Sequence, residues 1–506
     1  MRWKQVCRIL LLYLLLWPAA GGAEEKKAKE QKAEAEKAAP EEKLRKSRGT
    51  ATIAGRRIEY TATAGTILLK DKDGKPQASI FFIAYSRDGA GELAVRPVTF
   101  AFNGGPGSSS VWLHLGALGP RRVMLGQEAV PEPPPYRLQN NEYSLLDLTD
   151  LVFIDPVTTG FSRAAPGENA KQFHEVEKDI ESVAEFIRLW ITRNGRWASP
   201  KYVIGESYGA TRAAGLAEHL QEKLGMDLNG LMLVSPALNF QAISFDSGND
   251  LPYILYLPAY AATAWYHRLL SEDLQRLELP QLLDAARAFA RGPYAQALLQ
   301  GDALPEAERR RVAAEAARLT GLSPELLARA RLRLPVSRFT AELLKEKGRV
   351  VGRFDSRFTG IADDPTAHAS TYDPSYAAIY GAFSAALKDY VHRELGYESD
   401  LPYEIIAEEV RPWDWGRYEN RYLNMGERLS RALTRRPQLR LFVAAGHYDL
   451  ATSLASIEYT LDHLELDPSL RGNLQLSRYE TGHMPYLHEP SLARLREDLS
   501  RFIGGP

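Results

Sequence analysis

Lys201-Tyr202-Val203-Ile204-Gly205-Glu206-Ser207-Tyr208-Gly209-Ala210-Thr211 is the stretch on which the fold turns. Tyr202–Ile204 reads as a short apolar strand and Ala213–Leu220 as a helix, so Gly205-Glu206-Ser207-Tyr208-Gly209 is a tight turn between them. A strand that passes directly into a helix crowds its own backbone, and a glycine on either side of the serine relieves the crowding. Such a turn lifts the serine hydroxyl clear of the sheet. It also aims a helix N-terminus at negative charge forming there. The pentapeptide alone arises by chance in a chain of 506 residues; the strand before it and the helix after it make it a nucleophile elbow.

Outward from this turn the same alternation continues. Val98–Phe102, Leu151–Ile154, Leu231–Val234, Leu439–Val443 and Leu474–Tyr479 are short apolar strands, with a helical pattern over Val176–Thr192 between two of them. Upstream, Ile58–Leu69 and Ser79–Tyr85 are rich in β-branched and aromatic residues and flank the turn Asp73-Gly74, which predicts a hairpin. Alternation of strand and helix predicts an α/β fold with a mostly parallel sheet and helices on both faces. From about Phe240 to Leu429 the strand rhythm stops. Leu/Ala/Arg stretches with helix starts at Leu304-Pro305-Glu306 and Ser323-Pro324-Glu325 replace it. The expected organisation is core over 49–240, a helical cap inserted over 241–429, and core again over 430–506.

The start of the chain differs from the rest. Arg2, Lys4 and Arg8 precede the apolar run Ile9–Trp17, then Pro18 and small residues to Ala23, the layout of a signal peptide over 1–23. The run is too short to cross a bilayer about 30 Å thick, so export without stable membrane insertion is expected. Residues 24–48 are dominated by Ala, Glu and Lys with Leu44 the one large apolar residue, and they read as a solvated tether. Lys+Arg 63 against Asp+Glu 64 leaves a net charge of −1, which argues against a nucleic-acid partner. A single cysteine, Cys7, excludes a disulfide framework and a cysteine-rich metal site; no metal or cofactor is implied.

A serine needs a base, and the base needs an orienting acid. Behind an elbow of this kind the chain order is serine, acid, histidine. Asp449 in Gly446-His447-Tyr448-Asp449 and His483 in Thr481-Gly482-His483-Met484-Pro485 each follow a predicted strand, on loops at the carboxyl ends of strands where sites of open α/β sheets form. His447, His463 and His488 are competitors for the base. Asn103-Gly104-Gly105-Pro106-Gly107-Ser108-Ser109-Ser110 follows Val98–Phe102, and its Gly-Gly turn supplies one backbone N–H for an oxyanion hole; the N–H of Tyr208 is the other. No Gly-Lys-Ser/Thr follows, so the loop is not a nucleotide cradle. Asp155-Pro156-Val157-Thr158-Thr159-Gly160-Phe161-Ser162 is a further turn directly after a strand.

Together these blocks resemble the serine carboxypeptidases of peptidase family S10, more closely the bacterial members, over roughly Thr99 to Pro485. The Asn-Gly-Gly-Pro-Gly, Gly-Phe-Ser, Gly-Glu-Ser-Tyr and Gly-His-Met blocks occur in the family's order. The resemblance implies an α/β-hydrolase fold and removal of C-terminal residues from peptide substrates through an acyl-enzyme. It implies Ser207, Asp449 and His483 as the triad, and Gly105 and Tyr208 as the oxyanion donors. Asn103 and Glu206 are implied to bind the substrate's terminal carboxylate. An esterase or acyltransferase with the same triad is the nearest alternative, and a non-catalytic binding protein a more distant one.

Three departures stand out. Before Leu118-Gly119-Pro120 the family's second glutamate is Ala117, His447 replaces the first acid of the Asp449 block, and Ser108 replaces a usual cysteine. Without a neighbouring carboxyl to share a proton, Glu206 is expected to ionise nearer the ordinary glutamate value of about 4.3, burial aside.

Overall fold

The computed structural model describes residues 41–126 and 133–505. The signal-peptide reading and most of the tether reading lie outside the described residues. The central sheet contains β1 (Leu44–Ile53), β2 (Arg56–Lys70), β3 (Pro76–Arg87), β4 (Val98–Phe102), β5 (Asp150–Ile154), β6 (Lys201–Glu206), β7 (Gly230–Val234), β8 (Arg440–Gly446) and β9 (Leu474–Tyr479). Their order across the sheet is β1-β2-β3-β5-β4-β6-β7-β8-β9, with a short strand Arg163–Ala164 beside β3. β5, β4, β6, β7, β8 and β9 run parallel, and the first three strands form an antiparallel flank.

Alternate residues of the parallel strands serve two cores, as a period of two requires. Phe100, Phe102, Val203, Leu231, Leu233, Leu441 and Val443 face one side, with α1 (Val176–Arg193) and α2 (Tyr208–Leu224) packed on them. Ala101, Tyr202, Ile204, Met232, Val234, Phe442 and Ala444 face the other. This is the predicted sheet with helices on both faces.

The tether prediction fails at its end. Leu44–Ile53 pairs with β2 along its whole length, from Leu44 opposite Gly65 to Ile53 opposite Arg56. Composition misled because this edge strand is held by backbone hydrogen bonds more than by apolar burial. Order reaches back to Glu42, whose carboxylate accepts the Leu68 N–H at 2.9 Å and pairs with Arg193.

Between β7 and β8 lie α3 (Leu251–Tyr266), α4 (Leu279–Phe289), α5 (Glu306–Thr320), α6 (Pro374–Arg393) and α7 (Gly426–Arg435). α3, α4 and α5 share a core of their own through Tyr256, Tyr260, Leu282, Ala286, Val312 and Ala316. The predicted helix starts are present, with Ser323 capping the helix Pro324–Arg329. The remainder of 241–429 does not behave as a cap. Ile379, Phe383, Leu387 and Tyr390 of α6 pack on the sheet beside Tyr85 and Phe153, and Leu429 and Leu433 of α7 join the opposite core. A mixed apolar pattern on a helix reads the same whether its partner is another helix or the sheet. α8 (Leu454–Asp462) follows β8, and α9 (Glu489–Gly504) follows β9 and closes the fold. Among the described residues no helix is long and apolar enough to cross a membrane.

The lower edge of the sheet is tied by a buried ion cluster. Asp150, at the start of β5, accepts from Arg96 at 2.8 Å and from Arg196 at 2.5 Å. Asp150→Ala strands two buried guanidinium groups and is expected to cost about 3–5 kcal/mol, read as a lower urea midpoint with the site chemistry otherwise retained.

Candidate active site

Ser207 sits between β6 and α2 with φ 58° and ψ −123°, a conformation few non-glycine residues adopt. Its N–H donates to the Val234 carbonyl at the end of β7 (3.0 Å), and its carbonyl accepts from Ala210 and Ala237. A Cβ on Gly205 would lie 2.3 Å from the Gly209 carbonyl oxygen, and one on Gly209 would lie 2.9 Å from that of Phe102. Both glycines of the pentapeptide are therefore obligatory. Ser207 itself is half-buried, while its neighbours on both sides are buried.

Asp449 and His483 meet as the sequence predicts. His483 Nδ1 lies 2.7 Å from Asp449 Oδ2, and both side chains are buried. Asp449 Oδ1 accepts from the N–H groups of Ala451 (2.7 Å) and Thr452 (2.9 Å), and Oδ2 also accepts from the Thr452 hydroxyl (2.8 Å). The ring nitrogen is thus the donor in its pair with Asp449. This leaves Nε2, buried and without a hydrogen-bond partner, as the basic atom. Burial opposes the charged ring, but the charge and hydrogen bond of Asp449, with Glu206 beyond, raise the His483 pKa above its ordinary 6.5.

Close backbone contacts set this pair. A Cβ on Gly446 would lie 2.2 Å from the carbonyl oxygens of Thr481 and Gly482, so the acid loop and the base loop stack directly. The insertion contributes the rest. The Phe354 carbonyl accepts the His483 N–H (2.6 Å), the Phe354 ring stacks on the imidazole at 5.2 Å, and the Arg353 carbonyl accepts the Leu450 N–H.

The competing histidines are engaged elsewhere. His463 Nδ1 bonds the Tyr459 carbonyl and His488 Nδ1 the Ser491 hydroxyl. His447 is half-buried, with its Nδ1 buried and without a hydrogen-bond partner. Burial, together with Arg287, Arg478 and Arg494, pushes its pKa down to about 4.

The Gly-Gly loop lies against the elbow. A Cβ on Gly104 would come within 2.4 Å of the Tyr208 nitrogen, and Gly105, exposed at φ +102°, follows it. Tyr208 opens α2, so its N–H has no acceptor within the helix. Arg212 of α2 fixes the contact from below. Its guanidinium donates to the Asn103 carbonyl at 2.8 Å and pairs with Asp179 of α1 at 2.9 Å, all fully buried. From above, a strap crosses the loop, with Ala407 N–H donating to Gly107 and Ser109 N–H to Ile405. Asp155, from the further turn, accepts the N–H and the hydroxyl of Ser110 at 2.8 Å each.

Asn103 and Glu206 come together with a residue the sequence reading missed. Tyr486 donates to Glu206 Oε2 at 2.6 Å, and Asn103 Oδ1 accepts the Leu113 N–H while its Nδ2 is buried without a partner. Burial pushes the Glu206 carboxyl up to about 7, against the lowering influence of His483, Tyr486 and Asn103. The near-ordinary value expected from the sequence set burial aside, and burial is what raises it. Tyr486 and Thr452 each lie three residues past a candidate triad member, a spacing that could have drawn attention to them. Nothing local marks Arg212. Among the described residues, no group of three or more His, Cys, Asp or Glu side chains is placed to hold a metal ion.

The family profile described as serine carboxypeptidase matches residues 64–473. The chain belongs to the serine carboxypeptidase family. His483 lies just beyond the matched range. Serine carboxypeptidase-like 37 of Arabidopsis thaliana is 31% identical over 152 residues, 28% of this chain and 29% of that protein. The pheromone-processing carboxypeptidase KEX1 of Yarrowia lipolytica is 28% identical over 177 residues, 34% of this chain and 26% of that protein. The chain thus spans under a third of the length of these curated relatives. They are eukaryotic proteins and give no support to a bacterial-type affiliation. The crystal structure of the prohormone-processing carboxypeptidase KEX1(delta)p of Saccharomyces cerevisiae superposes with a TM-score of 0.55 at 17% identity, covering 88% of this chain and 91% of that one. At that identity the likeness establishes the α/β-hydrolase fold.

Gly104→Ala tests the loop contact. The added methyl would force the loop off the Tyr208 nitrogen and is expected to lower kcat by about 10²–10³ with an unchanged circular dichroism spectrum.

Proposed function

We propose that this serine carboxypeptidase family member is an exported, metal-free peptidase that releases C-terminal residues from peptides through an acyl-enzyme on Ser207. The observation that carries the reading is the buried Asp449–His483 pair with Nε2 unpartnered. The strained, half-buried Ser207 donates its N–H to Val234, and the residue after Val234, Ser235, donates its hydroxyl to the His483 carbonyl at 2.7 Å. Ser207 Oγ adds to the scissile carbonyl carbon as His483 Nε2 takes its proton, and Asp449 stabilises the imidazolium. The N–H groups of Gly105 and Tyr208 take the negative oxygen. His483 then protonates the leaving amine, and the C-terminal residue departs. Water repeats the sequence on the ester, and the shortened peptide leaves.

The exopeptidase character rests on Asn103 and Glu206. A buried glutamate that is neutral below about pH 7 can donate to a carboxylate, whereas an ionised one repels it. Export rests on the signal-like sequence of residues 1–23.

Ser207→Ala is expected to lower kcat by roughly 10⁴ or more while substrate still binds, and to abolish labelling by a fluorophosphonate probe. His483→Ala should be about as damaging and Asp449→Asn nearly so, whereas His447→Ala costs little. The assay is release of free amino acids from N-blocked dipeptides; turnover of neutral esters alone would favour the esterase reading.

The pH dependence follows from the sign of the Glu206 shift. Its raised pKa keeps the acid neutral at lower pH, so KM for peptides with a free C-terminus stays low there. It climbs as pH rises through about 7. KM for the amidated peptides should stay nearly flat, and paired KM profiles for one peptide in both forms check this.

A further inference from the structure

The side chain hydrogen-bonded to Glu206 is a phenol. Tyr486 is fully buried, its hydroxyl 2.6 Å from Glu206 Oε2. Its ring lies against Gly116, the residue beside Ala117; a Cβ there would sit 2.6 Å from the ring carbons Cδ2 and Cε2. The space is thus shaped for a ring. Burial and the neighbouring Glu206 keep the phenol protonated far beyond the working range, so it is a permanent donor. A hydroxyl carries one proton. If it is spent on Oε2, the proton of a neutral Glu206 must reside on Oε1.

We propose that Tyr486 is the positioning residue of the carboxylate receptor: by occupying Glu206 Oε2 it leaves Oε1, with the unpartnered Asn103 Nδ2, to meet the substrate's C-terminal carboxylate. This rests on the carboxypeptidase reading above. The titratable groups that face Glu206 are His483, Asp449 and Tyr486, with Asn103 as the neutral neighbour. Of these, only Tyr486 can be altered without touching the triad or the carboxylate-binding pair. Because its hydrogen bond favours the ionised carboxylate, Tyr486 also sets the upper pH limit for accepting acid substrates.

The test is Tyr486→Phe, which keeps the ring packed on Gly116. We expect kcat, and KM for the amidated peptide, to stay within about twofold of wild type. The climb in KM for the free-acid peptide should move up by about one pH unit, so that near pH 8 the variant binds that peptide roughly fivefold more tightly than wild type. A purely structural role would instead lower kcat for both peptides alike, and that result overturns the proposal. Glu206→Gln separates the two readings. If it flattens the free-acid profile while Tyr486→Phe leaves the profile unmoved, the role of Tyr486 falls and the carboxypeptidase reading stands. If the Glu206→Gln profile matches wild type, both fall.

Discussion

Everything in this site hangs on how closely three backbones approach at the end of the sheet. Ser207 is held at positive φ because its N–H reaches the Val234 carbonyl of the next strand while the loop after β4 presses on the first turn of α2. Gly104, Gly205 and Gly209 are where a side chain would collide with that arrangement, at 2.3 to 2.9 Å from neighbouring backbone atoms. The strain of a non-glycine residue in this conformation is of order 1–3 kcal/mol, and it persists only where the surroundings over-determine it. Arg212 contributes to that over-determination. By joining the Asn103 carbonyl to Asp179 it locks the Gly-Gly loop, the elbow helix and α1 into one unit.

The same site contains two buried carboxyls with opposite surroundings. Asp449 receives two backbone N–H groups, a threonine hydroxyl and the imidazole. Glu206 receives one phenol. At Glu206 burial outweighs the groups that favour the charged form and keeps the acid neutral at lower pH. Two residues of similar chemistry are thereby suited to opposite tasks: holding a cation in place, and donating a hydrogen bond to an anion. His483 faces both.

The insertion is part of this machinery rather than a lid laid over it. Phe354 supplies both the carbonyl that fixes the His483 backbone and the ring that stacks on its imidazole, and Leu450, beside Asp449, is buried in the core shared by α3, α4 and α5. The strap near Ile405 and Ala407 holds the Gly-Gly loop from the other side. Folding of the region between β7 and β8 is therefore coupled to the precision of a site whose named residues lie almost wholly outside it.

The positions of the parallel strands were legible because short apolar runs bounded by turns report directly on strands buried on both faces. The elbow was legible because its glycines answer a local steric need, and the Asp449–His483 pairing because chain order and strand ends restrict where such residues can stand. Two things escaped the sequence. Leu44–Ile53 buries little, so composition carried no sign of a strand made by backbone hydrogen bonds to β2. The partners of the site, Arg212, Phe354 and Tyr486, are chosen by contacts between segments distant in the chain, for which no local spacing exists. What the sequence determined by itself was the set of groups available for chemistry. The protonation of Glu206 was decided only in three dimensions, because burial is a property of the packed chain, and it outweighs the absence of a carboxyl that the sequence shows at Ala117.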